Sequence, residues 1–355
     1  MSTEQAEQVA AADGPAGTGD GGALSRARER FLRWEYGIAL VLIVVVLAGG
    51  GQVDGFLTSF NLDFRIVEVA PTLLIALPMT LLIVAGEIDL SVASMLGLSS
   101  TLMGELFAHG WPLPLAVCAC LLAGALMGAV NGFFVTVLGL PALAVTIGTL
   151  ALYRGLAYVI LGGGAVSDFP PSWTAYVRSD LPGTKIPVMA VLLLVMIALF
   201  GTILHATPLG RSIFAMGANP DGAVFAGIAV ARTKLWLFTA SGVVSAGAGV
   251  LYTLRFGSAQ ANNATGLELV VITAVLLGGV SIFGGVGSVF GVVCAGLLLE
   301  AIQSLLQLQG VDTSEVVGIT GLLLIISVVA PNAVRAAAPR LRRGPRPGRG
   351  LAARR

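Results

Sequence analysis

The stretch LIVAGEIDLSVASM, residues 82–95, decides how the rest of the chain is read. It sets two carboxylates, Glu87 and Asp89, between two runs, 69–85 and 90–104, that carry no charge at all. A helix that is apolar all round is buried in a large core or crosses a membrane. Two such runs meeting at an acidic turn predict two spans that join at a membrane surface.

The whole chain agrees with this reading. Its 355 residues are 56% hydrophobic and 11% charged, with a mean hydropathy of +0.92. A soluble domain carries about a quarter charged residues. Apolar blocks recur close to the ~20 residues that cross a bilayer. They predict an all-α, polytopic transmembrane helical bundle of about ten spans: 36–51, 66–85, 92–109, 115–138, 142–161, 187–205, 235–254, 269–283, 289–306 and 315–330.

Charge placement orients the bundle. Arg26, Arg28, Arg30 and Arg33 precede the first span, eight arginines follow the last, and Arg211, Arg232 and Lys234 cluster around one connection. Basic residues near span ends stay on the cytoplasmic side, so both termini and that connection are expected there. Residues 1–33 then form a disordered cytoplasmic tail, 34–332 the membrane domain, and 333–355 a basic tail drawn to anionic lipid head groups. Connection 162–187 is expected outside the cell.

Gly124, Gly128 and Gly132 repeat every four residues, as do Ser241, Ser245 and Gly249. Such stripes let helices pack closely inside a bundle. Cys118, Cys120 and Cys294 lie in apolar runs and read as small, inert packing residues.

Catalytic chemistry is missing from the pattern. The two histidines, His109 and His205, lack partners at ligand or triad spacing, and no Gly-Lys-Ser/Thr phosphate loop occurs. The glycine-rich GGVGSVFG, 284–291, lies between two apolar spans and reads as a tight turn. The chain is therefore expected to be no enzyme and to need no cofactor or metal, and any energy source must lie in another molecule.

The connection 205–234 is unusually apolar. Pro208 breaks the preceding helix, and RSIFAMGANPDGAVFAGIAV predicts two short helices around a turn at Asn219–Pro220–Asp221. A solvated linker has little use for Ile213, Phe214, Met216, Val224, Phe225 and Ile228, whereas a surface for a partner does.

Four stretches carry a family resemblance: GEIDLSV (86–92), NGFFVTVLGLPALAVTIGTLALYRG (131–155), GRSIFAMGANPDGAVFAGI (210–228) and ELVVITAVLLGGVSIFGGVGSVFG (268–291). In this order they resemble the membrane-spanning permease of ribose-type ABC importers, the branch serving monosaccharides and related small polyols. The resemblance covers residues 36–330. It implies a ten-helix permease in the cytoplasmic membrane of a bacterium, paired with a second permease copy. It further implies two cytoplasmic ATP-binding cassette ATPases as the motor and an extracytoplasmic sugar-binding protein that delivers the solute. Loop 206–234 matches the element that docks on the ATPase, with Gly210, Arg211, Gly217, Asn219, Ala223 and Gly227 at its recurrent positions. Glu87, Asp89 and Ser91 match the family's acidic turn. Two departures stand out: Glu87 replaces a common glycine, and Val270–Val271 replace a common Asp-Ala. The wording LLGGVSIFGG leans toward the deoxyhexose or autoinducer-type branch, and homodimer and heterodimer both remain open.

Within that frame, Asp89 or Ser91 is expected either to cap the third helix or to line the path, with Gly86 unwinding the chain. Glu87 is expected to pair with a basic residue such as Arg154 or Arg211, or to orient the broken helix. Asn131, Thr146 and Thr149 suit a path for a hydroxylated solute, with helix-to-helix hydrogen bonds as the rival role. Glu300 is expected to face the bundle interior or to snorkel toward a surface. An alternative class, an ion-coupled secondary transporter, would use Glu87 and Asp89 to bind the coupling ion.

Overall fold

The computed structural model describes residues 19–312, 314–319, 321–323 and 325–326, with side chains from residue 34. The basic tail 333–355, residues 1–18 and the end of the tenth expected span lie outside the described residues. The first helix, α1 (Gly19–Gln52), begins within the stretch expected as a tail. It is followed by α2 (Ser59–Val84), α3 (Val92–Ala108), α4 (Leu113–Thr136) and α5 (Ala142–Leu161). Next come strand β1 (Ala165–Val166), α6 (Pro171–Arg178), α7 (Val188–Ala206), α8 (Pro208–Ala218), α9 (Pro220–Phe225) and α10 (Val230–Phe256). Strand β2 (Ala259–Gln260), α11 (Leu267–Leu277), α12 (Val289–Leu308) and a short apolar helix, α13 (Ser314–Leu323), complete the described chain.

Among the described residues, seven helices are long and apolar enough to cross a membrane: α1 from Trp34, α2, α4, α5, α7, α10 and α12. The other three expected spans correspond to shorter apolar helices, α3, α11 and α13. The apolar run 269–283 is helical only to Leu277. Beyond it, Gly279, Gly284 and Gly285 take positive φ, so the same composition makes a turn instead of a helix.

Helix α2 is the axis of the bundle. Of its most apolar window 89% is buried, against 17–33% for α1, α4, α5 and α7, whose outward Leu, Ile and Val side chains form the apolar perimeter. Thr58 caps α2 by accepting from the Asn61 amide at 3.4 Å. Pro71 and Pro78 lie inside α2 without ending it. Their missing donors are tolerated because the helix is sheathed by protein.

The tightest helix pair is α4 with α10. A Cβ added at Gly124 would lie 2.5 Å from the Gly242 carbonyl oxygen, and one at Gly128 would collide with that of Phe238. A second face of α10 meets α3 at Gly249, whose added Cβ would lie 2.5 Å from the Leu96 carbonyl. Both small-residue stripes thus serve internal packing, where backbone contact supplies the dispersion energy that lipid cannot.

One segment re-enters the bundle. Helix α11 has 11 residues, about 16 Å of rise, roughly half of a ~30 Å hydrocarbon core. The chain ahead of it, 257–266, folds inward against α3, where Asn263 Nδ2 donates to Ser100 Oγ at 2.9 Å. Arg154 of α5 donates to the carbonyls of Ala261 (2.7 Å), Asn263 (2.8 Å) and Ala93 (3.2 Å). These donors satisfy irregular backbone that lipid would leave unpaired. The two-residue pairing of β1 with β2 pins the outer end of the loop.

Candidate functional site

Two neighbouring features at one end of the bundle make the candidate site. The first is the hairpin α8–α9. Thr207 caps α8, its hydroxyl accepting from the Gly210 amide at 3.2 Å, and Asn219 Oδ1 caps α9 by accepting from Gly222 at 2.9 Å. The two-helix hairpin around 219–221 forms as expected from the sequence.

The six recurrent positions divide by direction. Gly210, Gly217 and Ala223 turn toward the bundle, beside buried Ile213 and Met216. Arg211, Asn219 and Gly227 are exposed, and Gly227 ends α9 with φ +79. Val224 and Phe225 project outward, Phe225 with 92% of its surface exposed.

Gly217 is the point of contact. A Cβ there would overlap the Val84 carbonyl oxygen and the Gly285 amide. That amide donates to the Val84 oxygen at 2.8 Å. A Cβ at Gly284 would lie 3.0 Å from the Gly217 Cα and 3.1 Å from that of Gly86. Three backbones therefore touch at one spot: α8, the end of α2, and the turn between α11 and α12. Only glycine permits this approach.

The second feature follows Val84 directly. Connection 85–91 unwinds after Gly86, whose φ is +87. Glu87 pairs with Lys234 at 2.5 Å, both side chains largely buried. This replaces the expected partners: Arg154 is committed to the re-entrant loop, and Arg211 is exposed.

Asp89 is wholly buried. Its Oδ1 accepts from the Ser91 amide at 2.9 Å and the Ser91 hydroxyl at 2.5 Å. Ser91 is the N-cap residue of α3, yet its side chain makes no cap hydrogen bond. Of the two expected caps, Asp89 is the one that accepts a backbone N–H at the start of α3, that of Ser91, while the Ser91 side chain makes no cap bond.

Asn131 Nδ2 donates to Ser91 Oγ at 2.8 Å, and Tyr153 donates its hydroxyl to the Met127 carbonyl at 3.0 Å and sits 3.4 Å from Asn131 Oδ1. Thr146 donates to the Ile88 carbonyl at 3.3 Å, and Thr149 to the Thr146 carbonyl at 3.4 Å. The structure thus brings Asp89, Ser91, Asn131 and Thr146 together as one buried cluster. Burial pushes the Asp89 carboxyl above the ordinary carboxylate range, against the pull of Ser91, Asn131 and Ser241.

A second buried cluster lies at the opposite end. Arg65 bonds Glu300 (3.3 Å), Gln307 (2.9 Å) and Asn61 (3.3 Å), and Arg255 pairs with Glu68. The Phe64 ring lies under both guanidinium groups, 5.3 Å from Arg65 and 5.8 Å from Arg255. Glu300 faces inward as expected, but sequence reasoning passed over Arg65, Glu68 and Arg255. It began the second span at residue 66, leaving Arg65 outside. Ser241 and Ser245 were read only as small residues; their spacing of four was the available signal of a polar face.

The comparisons with known proteins agree with this architecture. Residues 61–328 match the family described as branched-chain amino acid transport system / permease component. The autoinducer 2 import system permease protein LsrD of Escherichia coli (strain K12) is 36% identical over 302 residues, covering 83% of this chain and 91% of that relative. The protein of the same name from Shigella flexneri matches to the same extent, and that of Escherichia coli O157:H7 is 35% identical over the same length. No solved structure matches the chain.

Proposed function

The chain belongs to the branched-chain amino acid transport system / permease component family, and from that membership we propose how it works as the permease of an ABC importer. It lies in the cytoplasmic membrane of a bacterium with ten spans and both termini inside. Seven helices cross outright, and α3, α13 and the unit of re-entrant loop plus α11 complete the count. The permease pairs with a second copy, receives its solute from an extracytoplasmic binding protein and is driven by two cytoplasmic ATPases. The solute is autoinducer 2 or a chemically similar small polyol, a reading supported by 36% identity to an autoinducer 2 import permease along 302 residues.

The observation that carries this reading is the double contact of the α8–α9 hairpin. Outward, Phe225 and Val224 offer apolar side chains to a partner. Inward, Gly217 meets the end of α2 and the α11–α12 turn. A push on Phe225 therefore reaches the backbone of Val84 and, through 85–91, the Asp89 cluster. Rigid helices and discrete packing transmit such a shift better than a soft linker. Arg211 and Asn219, both exposed, flank the docking surface, and Asn131, Thr146 and Thr149 line the inner end of the moving region. An ion-coupled mechanism loses Glu87, whose carboxylate is held by Lys234.

Reconstitution tests the proposal. Proteoliposomes holding the permease, its ATPases and its binding protein are expected to take up solute with internal ATP and not with a sodium or proton gradient alone. Gly217→Val is expected to leave the ATPases bound while cutting ATP-driven uptake to a few percent. Uptake driven by an ion gradient without ATPases would overturn the reading.

A further inference from the structure

The re-entrant loop 257–266 carries polar side chains deep inside the membrane, and its neighbours set that depth. An added Cβ at Gly104 would lie 2.6 Å from the Ala259 Cβ, and one at Gly97 would lie 3.1 Å from the Asn263 carbonyl oxygen. The loop therefore runs along α3 toward the hairpin end of the bundle. Gly97 stands five residues past Val92 and Gly104 twelve, about 8 and 18 Å along the helix axis. Arg154, which holds the loop, stands twelve residues past Ala142 at the hairpin end of α5, also about 18 Å in. These positions lie well within a hydrocarbon core of ~30 Å.

At this depth the loop divides its side chains. Ala259, Ala261 and Ala264 are buried, and Asn263 reaches Ser100 on α3. Asn262 and Thr265 are exposed. The Asn262 carboxamide has no hydrogen bond among the described residues. Thr265 donates to the Asn262 backbone carbonyl at 2.7 Å, which leaves its oxygen free to accept. Arg154 commits three N–H groups to the carbonyls of Ala93, Ala261 and Asn263, out of the five that a guanidinium carries. Glu268, half-buried in the first turn of α11, lies within electrostatic reach of Arg154. Between them Ala264, with φ +56, is the one non-glycine of positive φ among the described residues, and such strain collects at functional sites. Irregular backbone with exposed polar groups does not face lipid at this depth; it lines a water-filled cavity or is covered by protein. Space for a cavity exists beside Arg154, because a Cβ added at Gly148 or Gly155 on the exposed face of α5 would meet nothing within 4 Å.

We propose that Arg154, Asn262, Thr265 and Glu268 form a polar station inside the membrane where the permease grips hydroxyl groups of the passing solute, a proposal that rests on the importer reading above. Arg154 and Asn262 supply N–H donors, and Thr265 and Glu268 supply oxygen acceptors. A polyol matches this mixed set because each of its hydroxyls both donates and accepts; an apolar solute does not. The groups are partly exposed to water, so the grip is loose enough for the solute to leave again, as conduction requires. Arg154 also positions the station, since its three bonds to carbonyls hold the backbone that carries Asn262 and Thr265.

The test has two arms. In the first, the full chain with Cys118→Ala is placed in lipid nanodiscs and treated with a charged, membrane-impermeant methanethiosulfonate. Asn262→Cys and Thr265→Cys are expected to react, whereas Leu126→Cys, on the apolar perimeter of α4, is expected to stay unmodified. Cysteines at 262 and 265 as inert as that at 126 overturn the proposal, because lipid or a second copy would then seal the loop. In the second arm, the complete reconstituted transporter takes up autoinducer 2 from its loaded binding protein. Asn262→Leu with Thr265→Val is expected to cut uptake about tenfold or more while the loaded binding protein still stimulates ATP hydrolysis, and Thr265→Ser to keep uptake. Unchanged uptake in the double variant overturns the proposal. If the unmodified transporter shows no ATP-driven uptake, the importer reading fails instead, and the labelling arm, which needs no ATPase, still decides whether the loop lines a watery path.

Discussion

The two ends of the bundle bury polar groups in opposite ways. At the end away from the α8–α9 hairpin, two arginines meet two glutamates, and Asn61, Ser304 and Gln307 fill in around them. Charge balances charge between α2, α10 and α12. At the hairpin end, Glu87 has Lys234, but Asp89 forms no ion pair among the described residues and is held by hydroxyl and amide donors alone. A network closed by opposite charges holds helices in one arrangement; one that buries a charge without its opposite leaves room for a second arrangement. The fixed end and the adjustable end are thus told apart by their hydrogen bonds, and the adjustable end is the one the hairpin touches.

The largest effect that would sharpen this contrast is at the fixed end. Glu300→Leu leaves Arg65 facing an apolar side chain in a site where the glutamate side chain is only 10% exposed. Breaking a buried pair from one side costs about 3–5 kcal/mol, whereas replacing both partners by apolar residues is close to neutral. Denaturation in mild detergent is expected to show that loss for Glu300→Leu and recovery of most of it in Arg65→Leu with Glu300→Leu. A loss no greater in the single variant than in the double would mean the fixed end is not closed.

Next in size is Lys234→Met. Glu87 and Lys234 are 14% and 16% exposed, so solvent screens them little. Losing a hydrogen bond to a charged group of this kind costs about 1–3 kcal/mol. The same denaturation assay is expected to rank it below Glu300→Leu. A larger cost than Glu300→Leu would make the hairpin end the more rigid of the two.

How much of this was legible in the sequence follows from the physics of each element. Helices with long, mostly apolar runs, α4, α5 and α12, were readable to within a few residues because lipid demands an apolar stretch of about that length. The hairpin was readable because Pro208, Asn219 and Pro220 punctuate it. Helix α11 was not: its apolar composition runs on past Leu277 while the glycines at 279, 284 and 285 have already turned the chain. The polar clusters were half legible. Asp89 and Asn131 stood out as polar atoms in apolar runs, but contacts such as Lys234 with Glu87, 147 residues apart, are set by how spans pack. Local pattern carries no record of that. Arg65 and Arg255 were hidden for a related reason, since charges at span edges read as ordinary interfacial residues until the fold draws three helix ends together.

The smallest effect is expected at Asp89, and its smallness is the sharpest test of the contrast. In Asp89→Asn the carbonyl oxygen keeps the two bonds from Ser91, at 2.9 and 2.5 Å in the native chain. The new NH2 group replaces an oxygen that faces the Ser241 hydroxyl, and it can donate to that hydroxyl in turn. Removing a buried charge that lacks a partner relieves a desolvation cost instead of creating one. The variant is therefore expected to be within about 1 kcal/mol of the unmodified chain in the same denaturation assay. Ordinary buried ion pairs predict the reverse order, with a fully buried acid the most damaging to change. A loss at Asp89 as large as at Glu300 would show that its carboxylate is already paired, and the two ends would then be alike.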